Sequence, residues 1–319
     1  MGYDSGQEYL LDSETIHSYM GAIVGRYANR ILFGTFEIDG NTYHVPENKG
    51  NSTLHGGWVG YDQRNWTVVS QTEDSITFMF YDAHLQGFPG DLINFATYTV
   101  SSEPRWTSRL VSIPLNKATP VMLSNHIYWN VGAFVNKKAQ TVLDNTLYLP
   151  YSQRYVQVEI DQVPNGTIGT VAGTYLDFTK PTLIGSQINQ AVGNCGINCT
   201  GYNNAYIIDR PRYSDAESTD LSVLSMSSPD TGIQLDVRTN MQSLEIFSCN
   251  WFNGTIRGKN DQQYGANSTF YELHGCIVIE PQGWIDAINN PQFGQDQYQI
   301  YSPTTEPAVN YATYDFSIL

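Results

Sequence analysis

The chain has 319 residues, with 16 Lys+Arg against 31 Asp+Glu, a net charge of −15 and 22 tyrosines. That charge repels phosphate backbones and anionic lipid surfaces, which excludes nucleic acid and membrane as partners. No uncharged apolar run nears the roughly 18 residues of a membrane span, and the opening MGYDSGQEYL does not read as a signal peptide.

In chain order, period-two alternation of apolar and polar residues recurs in GTFEIDGNTYHV (34–45), SITFMFYD (75–82), FATYTVS (95–101), RLVSIPL (109–115), TLYLPY (146–151) and TGIQLDVRTN (231–240). Gly, Pro, Asn or Asp bounds each, as expected of short strands. Helical periodicity is nearly absent, and LIGSQINQAV (183–192) is the best helix candidate. Segment 213–230 is the loosest stretch and is read as a long loop or hairpin. No repeat, low-complexity tract or linker divides the chain. The expectation is an all-β fold: one domain over 1–319, a large antiparallel β-sandwich with its sites on loops or on a sheet face.

Scarce lysine and abundant Tyr, Asn, Ser and Thr suit a secreted, extracellular protein. Glycosylation sequons occur at Asn51, Asn65, Asn165, Asn198, Asn253 and Asn267; the composition gives about four by chance, so they decide little. Cys195, Cys199, Cys249 and Cys276 allow three disulfide pairings, and their spacing matches no zinc site. In an oxidising compartment Cys195–Cys199 and Cys249–Cys276 are the favoured pairs; buried free thiols are the alternative.

The six histidines include no pair at helical metal spacing, and no Gly-x-Ser-x-Gly elbow is present. Carboxylate and imidazole acid–base chemistry remains. Four stretches are rich in functional groups: GRYANRI (25–31) with Asn29 and Arg30, TLHGGW (53–58) with His55, SNHIYWN (124–130) with His126, and CIVIEPQGWIDAINNP (276–291) with Glu280. In the second, two glycines are expected to let backbone approach a ligand. In the third, alternation puts His126, Tyr128 and Asn130 on one strand face and Asn125, Ile127 and Trp129 on the other. In the fourth, Glu280 precedes a proline expected to end the strand, and a partly desolvated carboxylate there is a stronger base. Each residue also has a plainer role open to it: a hydrogen-bonded core histidine, a surface arginine, a core tryptophan.

Taken in order, GYDSGQEYL, HSYMGAIVGRYANRI, NSTLHGGWVGYDQRNW, GFPGD, SNHIYWNVG, GYNNAYIID, SLEIFSCNWFNGT, IEPQGWIDAINNPQF and YATYDFS resemble the aldose 1-epimerase (galactose mutarotase) family over nearly the whole chain. The resemblance implies a β-supersandwich that interconverts α and β anomers of free hexoses such as glucose or galactose without a cofactor. It implies His126 and Glu280 as catalytic acid and base, and Asn29, Arg30, His55, Asn203 and Glu245 as sugar-binding residues. It places Asn203 where the family usually has aspartate, and Glu245 where it usually has glutamine, which puts sugar preference in question. It further implies that roughly 50 residues of the family pattern lie upstream of this sequence, with several strands. An acid role for His126 needs an imidazolium, a minority species near neutral pH given a reference pKa of about 6.5. Trp58 or Trp284 is a candidate platform for the apolar sugar face. Two other readings share the motifs: a sugar-binding protein without catalysis, and a hexose-phosphate mutarotase, which would want several arginines around the phosphate.

Overall fold

The computed structural model describes residues 1–136, 140–212, 214–215, 217–262 and 270–319. Two antiparallel sheets dominate. The larger has nine strands, ordered Thr182–Leu183, Thr146–Tyr148, Leu224–Ser227, Ile233–Thr239, Ala308–Ile318, Arg105–Pro114, Asp91–Val100, Ser75–Ala83 and Thr67–Gln71. The smaller has six, ordered Ile127–Trp129, Ile277–Gln282, Ser243–Phe247, Asn203–Ile207, Arg154–Val158 and Pro164–Thr170. Each alternating segment contributes a strand, TLYLPY only over Thr146–Tyr148, and Asp39-Gly40 turns the hairpin Thr35–Ile38/Asn41–His44 with both residues at positive φ, 51° and 74°, as an Asp-Gly hairpin turn requires.

The sheets pack face to face. Leu147, Leu235 and Val237 of the larger meet Tyr206, Leu244, Ile246, Ile277 and Ile279 of the smaller in one core cluster, each sealed from solvent. Fully burying such a side chain contributes about 1.5–3 kcal/mol, so these residues set the face each strand turns inward. Successive side chains alternate, and Glu245 and Glu280 therefore leave the smaller sheet on its other face. Ile127 and Trp129 pack on the same core while Tyr128 joins a different cluster, which is the partition alternation predicts around His126.

Three expectations need correction. LIGSQINQAV is not an α-helix but two 3₁₀ turns, Ile184–Ser186 and Ile188–Gln190; among the described residues the α-helix is Gly6–Glu14. It starts at a capping box in which Ser5 and Glu8 each cap the other's backbone. The Glu280 strand does not stop at Pro281 but runs to Gln282. The short strand Ile127–Trp129 pairs only as far as Ile279, so the proline, which has no N–H, falls where one flank has no ladder to complete. The glycines of TLHGGW serve packing: a Cβ on Gly56, at φ +88°, would sit 2.0 Å from the Gly25 carbonyl oxygen.

The loose segment ends in the hairpin Leu224–Ser227/Ile233–Thr239, and its residues 213 and 216, like the sequon at Asn267, lie outside the described residues. Both favoured disulfides are formed, with Cα separations of 5.4 Å for Cys195–Cys199 and 5.5 Å for Cys249–Cys276. The second joins the residues just after the Glu245 strand and just before the Glu280 strand.

GRYANRI is anchored by a group that composition did not single out. Arg26 is 1% exposed; its Nε donates to Asp82 Oδ2 at 2.8 Å, and its Nη1 donates to the carbonyls of Pro89 and Gly90 and to Thr119 Oγ1. Tyr61 donates to the same Asp82 oxygen at 2.7 Å. Removing one partner of a buried pair strands the other charge and costs about 3–5 kcal/mol. Arg26→Met is thus expected to lower unfolding free energy in urea by about that much, and Asp82→Asn added to it to restore part of the loss. A double variant no more stable than the single would contradict a charge-pairing role.

Candidate active site

On its outer face the smaller sheet presents Glu245 opposite Glu280 in register, with Ala205 opposite Glu245 on the other side. The sheet itself offers these acids few donors; the donors come from loops that fold over it. His126 lies between Ser124–Asn125, which pair with Ile23–Val24, and Ile127–Trp129, which pair with the Glu280 strand. Its backbone is held on both sides, N–H to the Ala22 carbonyl at 2.8 Å and carbonyl from the Gly21 N–H at 2.9 Å. Its Nε2 is 3.4 Å from Glu280 Oε1, with both side chains under 10% exposed. His126 Nδ1 and Glu280 Oε2 are buried and have no hydrogen-bond partner.

Asn29 and His55 fix one another. The Asn29 N–H donates to His55 Nδ1 at 3.2 Å, and the His55 N–H donates to the Asn29 carbonyl at 2.9 Å. Both sit at left-handed φ, 57° and 50°, a conformation asparagine and histidine tolerate better than most residues. Since Nδ1 accepts, the His55 proton is on Nε2. Asn29 Nδ2 donates to Glu245 Oε2 at 3.3 Å, while Asn29 Oδ1 accepts from Arg30 Nη1 at 3.4 Å. Arg30 heads the strand Arg30–Leu32, paired with Ser52–Leu54. Asn203 is on the same sheet face, but its amide donates to Gln162 Oε1 at 2.7 Å.

The contacts thus bring together His126, Glu280, Glu245, Asn29, Arg30 and His55 of the residues named from sequence, and tie Asn203 to the adjoining loop at Gln162. Tyr19 was not foreseen. Its ring centroid is 4.8 Å from that of His55 and 5.7 Å from that of His126, and it stands in a loop where no periodicity marks it. The tryptophan candidates do not take that place: Trp58 is 63% exposed, and Trp284 is buried against Phe293 with its indole N–H donating to the Gln242 carbonyl. Asn125 is structural: it accepts from Tyr98 and Ser108 and donates to the carbonyls of Gly21 and Ala22.

Burial governs the electrostatics. It presses the His126 imidazole down to about 3 and holds His55 well below its usual value, with His126, Arg30 and His17 adding to the latter. It lifts Glu245 to about 8, against the opposing pull of Arg30 and the Asn29 hydrogen bond. Glu280 is held well above the carboxylate range by burial first and by Glu245 second. At neutral pH the proton of the Glu280–His126 pair therefore rests on the carboxyl, and the imidazole is neutral.

The sandwich of two large antiparallel sheets thus carries a buried carboxyl–imidazole pair beside an arginine and a second histidine. Solved structures share the fold. The aldose epimerase homologue of C. elegans superposes with a TM-score of 0.81 at 24% identity, over 100% of this chain and 87% of that one. The galactose 1-epimerase of Lactobacillus acidophilus NCFM gives 0.76 at 21%, over 100% and 84%. The aldose 1-epimerase family model matches residues 2–300, and the chain belongs to that family. It is 49% identical to the "Probable aldose 1-epimerase" of Arthroderma benhamiae over 99% of this chain and 78% of that protein, and 30% identical to the galactose mutarotase of Mus musculus over 86% and 73%. It is accordingly an isomerase, an aldose 1-epimerase.

A buried acid whose proton affinity rises on folding stabilises the fold at low pH, and that contribution is lost as pH climbs from its ordinary value to its folded one. For Glu245 this window runs from 4.5 to about 8. The stability advantage of Glu245→Gln over the wild type, followed by urea unfolding, should grow across that window and level off above it. A pH-independent difference would mean that Glu245 is not a buried acid.

Proposed function

We propose that Glu280 and His126 are the proton-exchanging pair of the epimerase, acting on free hexoses such as glucose and galactose. The observation that carries this is the 3.4 Å approach of His126 Nε2 to Glu280 Oε1 in a buried cluster with Arg30 and His55. Mutarotation removes the proton of the anomeric hydroxyl and delivers one to the ring oxygen. The ring opens to an aldehyde, the exposed carbon–carbon bond rotates, and closure on the other face reverses both transfers. Each turn needs one acid and one base, and the pair carries one proton, so it supplies both.

In this mechanism Glu280 takes the hydroxyl proton as carboxylate and His126 serves the ring oxygen as imidazolium. The sugar-free site favours the neutral arrangement, with the proton on Glu280. The two arrangements differ by one proton shift across the 3.4 Å contact. A bound hydroxyl donating to the carboxyl and a ring oxygen accepting from the imidazole both favour the charged arrangement. Arg30 and the His55 Nε2–H stabilise negative charge that develops as the ring opens. Tyr19 offers the ring against which the apolar sugar face rests.

The names of the related galactose mutarotases support galactose as a substrate. Neutral sugars suit the site better than hexose phosphates, because its contacts supply one guanidinium, that of Arg30, and phosphate calls for several. A secreted glycoprotein is supported by the two disulfides and by the exposure of the sequon residues Asn51, Asn65, Asn165, Asn198 and Asn253. If all five are unmodified in chain recovered from a secreting host, the glycoprotein reading fails.

Glu280→Gln and His126→Asn should each lower kcat by about 10²–10⁴-fold, the usual scale for one acid–base group, with unchanged far-UV circular dichroism. Polarimetry on freshly dissolved α-D-glucose and α-D-galactose reads the rate. Full activity in the double variant would overturn the assignment; saturable sugar binding without acceleration in the wild type would point to a binding protein.

A further inference from the structure

Glu245 and Glu280 face each other across neighbouring strands, where directly opposed residues hold their Cβ atoms about 4.5–5.5 Å apart. They are 3% and 2% exposed. The ladder, anchored by Leu244 and Ile246 on the inner face, fixes the two side chains as neighbours at their Cβ atoms.

The groups around them are few. From the strand on the far side of Glu245 comes Ala205, which carries no charge. From the loop above come Asn29, which donates one hydrogen bond to Glu245, and Arg30, whose charge acts on it. His126 and His55 are neutral, as burial dictates. Tyr206 and Tyr128, buried phenols that feel these two acids, stay protonated. Arg30 also answers to Asp161 on the neighbouring loop. Two ionised carboxylates would thus confront one guanidinium already drawn on by a third. Like charges held that close in a dry site do not both ionise.

We propose that Glu245 is a positioning residue that acts through Glu280: no more than one of the two carboxyls ionises at a time, and Glu245, kept as a neutral carboxylic acid, sets the proton affinity of the catalytic carboxyl. This rests on the epimerase mechanism above and adds a proton to it. While Glu245 is neutral, the Glu280–His126 pair is free to run its own proton between sugar oxygens. Once Glu245 ionises, its charge binds the Glu280 proton more tightly and opposes the negative charge that grows on the opening sugar, and turnover falls. The dyad titrates as a unit with two apparent steps, so its loss shows as a change in the number of ionisations as well as in rate.

The test joins a spectrum to a pH–rate profile. At pH 7 the infrared difference between wild type and Glu245→Gln should contain the carbonyl band of a protonated, buried carboxylic acid. In the wild type that band should fade as pH rises through about 8. Mutarotation of α-D-glucose by the wild type should decline over the same range, with an inflection that Glu245→Gln lacks. One pH unit above the midpoint, the wild type should have lost about tenfold of its plateau rate while the variant holds its own plateau. An unchanged inflection in the variant, or no acid band in the difference spectrum, overturns the proposal. Should the variant not fold, Glu245→Ala takes its place in the same difference spectrum, the absence of an acid band at pH 7 again counting against. Glu280→Gln separates the two readings: a fully active Glu280→Gln enzyme overturns the acid–base assignment, whereas an active wild type with no Glu245-dependent step overturns only the coupling of the two carboxyls.

Discussion

The register of two adjacent strands, Ser243–Phe247 and Ile277–Gln282, is the constraint on which the site depends. Leu244 and Ile246 on one, Ile277 and Ile279 on the other, go into the core between the sheets. A slip of one residue in either strand would expose two of them and drive a glutamate among them. Burial of each aliphatic contributes about 1.5–3 kcal/mol, and an ionised carboxylate in that core would cost several more, so both effects favour the same register. Glu245 and Glu280 are placed by their neighbours' hydrophobicity, not by their own attractions. The Cys249–Cys276 disulfide pins the same two strands where they meet the loops.

Because the sheet supplies acids without matching donors, the rest of the site had to be carried by loops, and each loop is fixed by a buried polar contact of its own. Arg26, paired with Asp82, fixes the turn that delivers Asn29 and Arg30. Asn125 ties the Tyr19 segment to the stretch that presents His126. The reciprocal Asn29–His55 contacts set the His55 tautomer. Arg26 and Asn125 make no contact with the acids themselves, yet a loss at either would move the loops that carry Asn29, Arg30 and His126.

Legibility in the sequence followed the strength of the local signal. Alternation located the strands and sorted His126 from Asn125, because a half-buried strand writes its two faces into every second residue. The helix Gly6–Glu14 was announced by Ser5 and Glu8 at capping-box spacing but carries no apolar stripe, with Leu10 and Leu11 exposed, so periodicity passed over it. Pro281 misled because proline's cost depends on which strand flank needs the missing N–H, a tertiary fact. Arg26 and Arg30 are four residues apart and read alike; only the fold puts one in the core beside Asp82 and the other over the acids. Tyr19 and the glycines of TLHGGW owe their roles to non-local packing, and nothing within a short window encodes that.

The energetics of the site fit the neutrality of the substrate. A pyranose enters and leaves uncharged, and charge appears only while the ring is open. A pair that keeps its proton on Glu280 and its imidazole neutral spares the resting molecule the desolvation of two opposite charges. The same burial that makes Glu280 a strong base makes His126 a poor holder of protons, and the two biases pull the shared proton in one direction. Arg30 acts on the neighbouring acid, where it favours the ionised form of Glu245 against the same burial. The strongly acidic surface has no part in this balance, since its charges lie in water where salt screens them beyond about 8 Å. The balance is set among six residues that the register of two strands and the anchoring of three loops bring together.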